Sequence, residues 1–324
     1  MYGIRLSDGH CWGIRPGDGS EAWTDEFARL LGLEPLQGLA DKTIRLERFP
    51  PSSGTGDGCV QAPHACDGEG WLVRRSPFLE IWRHRAVQEI VCGLHETADF
   101  PQVREQMRCA LFPVYDATVR RGGLPLHCAL VERDGRGVLL VGRSGVGKST
   151  ACRRLPPRWN VLGDDLALAV RRPRGGFAVH PLPTWSAVGT DLEKRAWDIN
   201  RGVRLAAIFL LTQAAEDEIL PAGKAVATVV LADAAMTIFE SVRVHDQTVE
   251  KKLLGGNAFA NAAAMVEAVP TYILRLSLTG RFWEKIEEVL NHKPREIATG
   301  PILSQTARIC PENEGVERAA LCPR

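Results

Sequence analysis

Residues 142–150 read Gly-Arg-Ser-Gly-Val-Gly-Lys-Ser-Thr and follow Val138-Leu-Leu-Val141, an apolar run that leads straight into the pattern G-x-x-x-x-G-K-S. The chemistry of that spacing is anion capture. Gly142, Gly145 and Gly147 permit positive φ angles and let backbone N–H groups turn toward phosphate oxygens. Arg143, Ser144 and Val146 complete the loop. Lys148 can reach β- and γ-phosphates, the Ser149 hydroxyl can ligate Mg²⁺, and Ser149-Thr150 open a helix whose positive dipole end faces the anion. A buried-type strand before the loop and a helix after it point to a nucleoside triphosphate, read here as ATP, with Mg²⁺ as its cation.

The second chemical feature is Asp164-Asp165, two carboxylates that interrupt the apolar run Val161-Leu-Gly-Asp-Asp-Leu-Ala-Leu-Ala-Val170. Beyond a phosphate loop and one short helix, such a pair can place one oxygen on Mg²⁺ and another on an incoming hydroxyl. A solvated Gly-Asp-Asp turn is the bland use of the same residues. Their place in the same α/β unit as the loop favours chemistry.

The elements that must position these groups follow from periodicity. A strand centred on His127 to Val131, a turn at Asp134-Gly135 and the strand 138–141 make a hairpin that delivers the chain to the loop. The helix after it ends near Leu155, because Pro156-Pro157 stop it. Upstream, Val103, Met107, Leu111 and Val114 recur at helical spacing over 101–121, with Pro113 bending or dividing the helix. Residues 2–6 and 11–15 read as a hairpin, 21–31 as an amphipathic helix, and 71–74 with 79–83 as a strand pair. The segment 50–70 has the composition of a mobile loop. Downstream, 204–211 is an inner strand, 225–231 a helix or strand, 272–276 a strand and 281–290 a helix. Three regions result: an N-terminal α+β accessory domain over 1–100, an α/β domain carrying the loop over 101–292, and a flexible tail over 293–324.

Composition narrows the partners. A chain of 324 residues with 45% hydrophobic and 24% charged residues can bury a sizeable core, and a net charge of +1 creates no general field for nucleic acid or an acidic membrane. No stretch approaches the roughly 18 apolar residues that span a bilayer, and the N-terminus lacks a signal peptide's apolar core, so the expected compartment is the cytoplasm. Nine cysteines without a C-x-x-C pair read as free thiols. The alternative metal set Cys59, His64 and Cys66 lacks a local fourth ligand. Arg153, Arg154, Arg158, Arg171, Arg172 and Arg174 are either solvated helix ends and turns or a surface for an acidic peptide. The segment His180 to Ser186 is either a cover for substrate or a packed loop.

Taken in order, His127 on its strand, the loop Gly142 to Ser149, then Asp164-Asp165 resemble the catalytic half of the HPr serine kinase/phosphorylase family, over roughly residues 120 to 240. Leu126-His127, Gly135-Arg-Gly-Val-Leu-Leu-Val-Gly-Arg-Ser-Gly-Val-Gly-Lys-Ser-Thr150 and His180-Pro-Leu-Pro-Thr-Trp-Ser186 more closely resemble the SynChlorMet cassette protein ScmC family, which accompanies radical enzymes in peptide-modification cassettes. The resemblance implies an α/β P-loop kinase domain of HPr kinase/phosphoenolpyruvate carboxykinase type beside the smaller N-terminal domain. It implies that Asp164 is the catalytic carboxylate, that Asp165 is its partner near metal, and that His127 contacts phosphate or tunes the carboxylates. The family's Glu-Ile-Arg-Gly-x-Gly signature is replaced by Trp185-Ser-Ala-Val-Gly-Thr-Asp-Leu-Glu193, so phosphorylase activity is not implied; Asp191 and Glu193 are further candidates for Mg²⁺.

The resulting expectation is an ATP- and Mg²⁺-dependent phosphotransferase acting on a Ser or Thr hydroxyl of a peptide or protein, such as a precursor peptide in a cassette with radical enzymes. Asp164 would serve as base and Lys148 as charge stabiliser. The alternatives are an ATP-binding module that docks a precursor peptide without catalysis, and a carboxykinase-like enzyme acting on a small acid. The oligomeric state is open, a homo-oligomer included.

Overall fold

Two sheets share the chain in the computed structural model, which describes residues 1–49, 70–84, 86–97, 99–188, 197–241 and 248–291. The first sheet comprises β1 (Tyr2–Arg5), β2 (Cys11–Pro16), β3 (Glu34–Pro35), β4 (Lys42–Phe49), β5 (Trp71–Arg75), β6 (Leu79–His84) and β7 (Glu89–His95), in the order β3-β1-β2-β4-β7-β6-β5. The expected hairpins β1/β2 and β5/β6 both form, with Tyr2 opposite Ile14 and Val73 opposite Trp82. The parallel pairs β2/β4 and β4/β7 that join them had no local signal. Period-two alternation puts Ile4, Trp12, Ile14, Ile44, Leu46, Ile81, Cys92 and Leu94 in one buried cluster. Helix α1 (Glu21–Leu30) adds Trp23, Phe27 and Ala28 to it at helical spacing.

Helices α2 (Phe100–Ala110) and α3 (Phe112–Arg120) divide at Leu111, as Pro113 required. Proline occupies the first turn of α3, where its missing N–H leaves no bond unmade. Both helices pack into the same cluster, which extends to Leu166, Leu168 and Val170 of the second sheet.

That second sheet contains β8 (Leu124–Arg133), β9 (Arg136–Val141), β10 (Asn160–Gly163), β11 (Leu166–Arg171), β12 (Phe177–Pro181), β13 (Val203–Gln213), β14 (Glu218–Pro221) and β15 (Thr271–Leu276). Its pairings run β8–β11–β12–β13 and return through β9 to β8, so five strands close on themselves. Helices α4 (Lys148–Arg154), α5 (Lys224–Ser241), α6 (Thr248–Ala268) and α7 (Phe282–Asn291) cover it. Alternate residues of β8 serve two cores. Leu126, Cys128 and Leu130 join Leu231 of α5 and Ala262 and Met265 of α6, whereas Ala129 and Val131 join Ala151 of α4 and Phe282 and Ile286 of α7. The loop-bearing hairpin is thereby clamped between two helical layers.

The segment 180–186 is packed. His180 and Pro181 end β12, and Leu182 and Trp185 are buried. The 50–69 part of the loop read over 50–70, the cysteines at 59, 66, 310 and 322, Asp191, Glu193 and the tail over 293–324 lie outside the described residues.

Candidate active site

Strand β9 ends at Val141 and α4 begins at Lys148, so residues 142–147 form the turn between them. Gly145 at φ +81° and Gly147 at φ +110° occupy backbone regions that L side chains rarely enter. Val146 N–H donates to the Arg143 carbonyl at 3.2 Å, and Gln213 from β13 donates its Nε2–H to the Gly145 carbonyl at 3.3 Å. No side chain caps α4; Ala151 N–H reaches back to the Gly147 carbonyl at 2.8 Å. Arg143, Ser144 and Gly145 are exposed, while Gly142, Val146, Gly147, Ser149 and Thr150 are half-buried.

Lys148 is the buried member of the loop, with 7% of its surface exposed. Its Nζ donates to the carbonyls of Gly142 at 2.6 Å and Arg143 at 3.2 Å, folding the stem back across the turn. Burial lowers its pKa from the ordinary lysine value, and the nearby carboxylates of Asp165 and Asp164 oppose that shift.

The two carboxylates occupy the break between β10 and β11, both of which pair with β8. A register shift between Val161 and Gly163 spoils the ladder there, so the chain bends before it re-enters the sheet at Leu166. His127 on β8 faces Leu166 across the ladder, and Cys128 N–H donates to the Asp165 carbonyl at 3.1 Å. This register brings His127 Nδ1 to 3.3 Å from Asp165 Oδ1. Asp164 turns elsewhere: its Oδ1 accepts the Thr184 hydroxyl at 2.7 Å.

His127 and Asp165 open onto a cleft of about 300 Å³ whose other walls include Arg104 and Arg108 of α2, Trp185 and Thr237 of α5. Arg108 pairs with Glu105 at 2.5 Å. Gln213 of β13 and Arg104 and Arg108 of α2 carried no signal in the sequence, because elements distant along the chain bring them to the site, whereas Thr184 belongs to the segment 180–186 that the sequence had singled out. Of the basic residues near the loop, Arg154 donates to the carbonyls of Ser277 and Gly280, and Arg158 pairs with Glu287 at 2.9 Å, so both tie α4 and its following turn to the α7 region.

Among the described residues no group of three or more His, Cys, Asp or Glu side chains is placed to hold a metal ion, and Cys11, Cys92, Cys109, Cys128 and Cys152 are free thiols. No helix among the described residues is long and apolar enough to cross a membrane.

The mixed α/β architecture agrees with the HPr-kinase-like superfamily, whose members include kinases and phosphorylases. Residues 90–291 match the family model of SynChlorMet cassette protein ScmC, and the chain belongs to that family. It is also 30% identical over 103 residues to the HPr kinase/phosphorylases of Listeria welshimeri, Listeria monocytogenes and Listeria innocua. That similarity covers 31% of this chain and 33% of each of theirs, so the chain spans about a third of the length of these curated relatives.

Proposed function

We propose that this protein transfers the γ-phosphoryl group of ATP, with Mg²⁺, to a Ser or Thr hydroxyl of a peptide or protein substrate. The reading extends to a precursor peptide in a modification cassette, and to the cytoplasm as its place of action. The observation that carries it is that β8 pairs on one side with β9, which ends in the glycine turn and buried Lys148, and on the other with β11, which the Asp164-Asp165 break precedes, while His127 of β8 stands beside Asp165 at an open cleft.

The residues fit the implied groups. Gly145 and Gly147 adopt the positive φ that a phosphate-binding nest requires, and residues 143–145 are exposed to an arriving triphosphate. Mg²⁺ draws much of its shell from phosphate oxygens and water, so two protein oxygens, Ser149 Oγ and one of the paired carboxylates, are a sufficient donor set. When bound, the metal neutralises charge on the phosphate oxygens. Lys148 exchanges its loop carbonyls for phosphate oxygens, while Arg143, Ser144, Val146 and Thr150 contribute through the backbone of the turn and the first helical residues.

Asp164 as base with Asp165 on the metal is the assignment carried by family resemblance. The geometry favours a second assignment for the same reaction. Asp165 is the carboxylate that lines the cleft and pairs with His127, whereas Asp164 is held by Thr184. In that arrangement Asp165 takes the proton from the acceptor hydroxyl, His127 orients it, and Asp164 faces the metal.

Incubating the full chain with labelled ATP and Ser- and Thr-containing peptides tests the reading. Asparagine at the base position should lower transfer by about 10² to 10⁴ with ATP·Mg²⁺ binding retained, whereas asparagine at the metal position should raise the Mg²⁺ requirement. Asp164→Asn and Asp165→Asn thus identify the base by which phenotype each shows. ATP binding without transfer to any peptide, unchanged in both variants, would replace catalysis by the nucleotide-gated docking module.

A further inference from the structure

Helices α5 and α6 turn one apolar side to the second sheet and another to solvent. From Leu253 to Val266, α6 runs for fourteen residues without a charge, and α5 does the same over the eight residues 225–232. Their inner sides are accounted for, because Ala227, Leu231, Ala258, Ala262 and Met265 are buried in the core beneath that sheet. On the outer side Val226 and Val229 of α5 and Leu253 and Phe259 of α6 are each more than half exposed. Charged and polar residues ordinarily hold that side of a surface helix.

The two helices lie antiparallel, since Lys224 at the start of α5 pairs with Glu267 near the end of α6 at 2.5 Å. Along α6 the exposed positions include Lys252, Gly256, Ala260, Ala264 and Glu267, spaced by three or four residues and therefore on one side of the helix. This row is close to its own reverse. Turned end for end about Ala260, Gly256 falls on Ala264 and the Lys252 end falls on the Glu267 end. Lys224 takes Oε2 of Glu267, and Oε1 can accept from a second cation. Gly256 costs the helix about 1 kcal/mol relative to alanine. A Cβ there would meet no described atom within 4 Å, so no described part of the chain uses the missing side chain. A backbone arriving from outside would.

We propose that this face binds a second copy of the chain across a two-fold axis at Ala260, with α6 against α6 in antiparallel order and Lys252 of each copy on Glu267 of the other. A two-fold interface must be complementary to itself, and this row supplies both signs of charge at matching ends. Leu253 and Phe259, with Val226 and Val229 of α5, flank the small residues and leave water with them. An acidic lipid surface fits poorly. Among the described side chains of the two helices, Asp233, Glu240 and Glu267 stand against Lys224 and Lys252, which leaves no cationic excess for headgroups.

Sedimentation equilibrium on the full chain tests this, with the wild type expected as a dimer at about 10 μM. Ala260→Glu sets two like charges on the axis and should weaken the dimer at least about 100-fold, with the far-ultraviolet circular dichroism spectrum unchanged because the native side chain is exposed. A charge swap tests the register independently. Lys252→Glu alone and Glu267→Lys alone each bring like charges together twice per dimer and should weaken it about tenfold. An equimolar mixture of those two variants should regain the affinity as a heterodimer, because every acidic end then meets a basic one. A monomeric wild type at that concentration, a dimer indifferent to Ala260→Glu, or a mixture no tighter than either variant alone would each overturn the proposal.

Discussion

Lys148 concentrates the tension of the candidate active site in one side chain. An ammonium with 7% exposure satisfied by two loop carbonyls is stable enough to persist, yet burial weakens its hold on the proton relative to the unfolded chain. The unfolded state then binds more protons than the folded one in the window below 10.5, down to the lowered folded value. Stability contributed by this residue is complete above 10.5 and is lost as pH falls through that folded value. Lys148→Met keeps the stem's bulk and removes the titration, so urea midpoints of wild type should rise with pH across the alkaline window relative to those of the variant. Parallel curves would mean that Lys148 is more solvated than its contacts imply. The same variant should bind ATP about 10- to 100-fold more weakly by calorimetry, because a charge-assisted contact to phosphate is lost. Unchanged affinity would remove the turn from the proposed site.

Between elements, the most instructive joint is that of α3 with α6. Asn261 of α6 donates its amide to the carbonyls of Val119 at 2.7 Å and Gly123 at 3.0 Å, so one helix supplies the C-terminal cap of another. Close by, a Cβ at Gly123 would stand 2.5 Å from the Ala169 carbonyl of β11, which leaves no room for a side chain where α3 hands over to β8. Asn261→Ala should lower unfolding free energy by about 1 to 2 kcal/mol through the two lost bonds, with an unchanged urea m-value and unchanged ATP affinity. A neutral result would show that water replaces the amide. α6 is also where local propensity is overruled. Gly255-Gly256 should interrupt a helix at about 1 kcal/mol each, and no neighbouring atom explains them, yet Ala258, Ala262 and Met265 bury themselves beneath the second sheet and hold it.

Over the whole molecule, the two sheets are joined by residues 197–202 as well as by α2 and α3. Asn200 accepts from Arg5 N–H at 2.7 Å, and its side chain donates to the Gly3 carbonyl at 3.2 Å. His180, fully buried on β12, accepts the Ser7 N–H at Nε2, which fixes its proton on Nδ1 and directs that proton to the Ile199 carbonyl at 2.7 Å. Burial lowers its pKa below 6.5, so its contribution to stability is present above 6.5 and is lost as pH falls through the folded-state value. Denaturant midpoints should therefore fall on acidification below 6.5 more steeply in wild type than in His180→Gln; equal slopes would show that His180 titrates as in the unfolded chain. Although the expected boundary near residue 100 separates the sheets along the chain, their shared core predicts one transition by tryptophan fluorescence and by far-ultraviolet circular dichroism. Two separate transitions would establish two independently stable domains.

The amino-acid sequence alone determined whatever a few neighbouring residues decide among themselves. The β8/β9 hairpin, the glycine turn, the short α4 stopped by Pro156-Pro157 and the Pro113 break are of this kind, because turn chemistry, missing donors and positive φ act within one or two turns of chain. Lys148 and the Asp164-Asp165 pair were nameable for the same reason, whereas His127 was singled out by the family resemblance. How those groups face one another was not legible. Long connections bring β4 and β7 into parallel pairing with nothing local to announce it, and the register of β8 against β11 alone puts His127 on Asp165 and leaves Asp164 to Thr184. Arg104 and Arg108 likewise meet His127 and Asp165 through packing between elements far apart in sequence. Local preferences choose the pieces and their chemistry; burial of the shared apolar faces chooses their partners, because that free energy depends on which surfaces leave water together and not on their order along the chain.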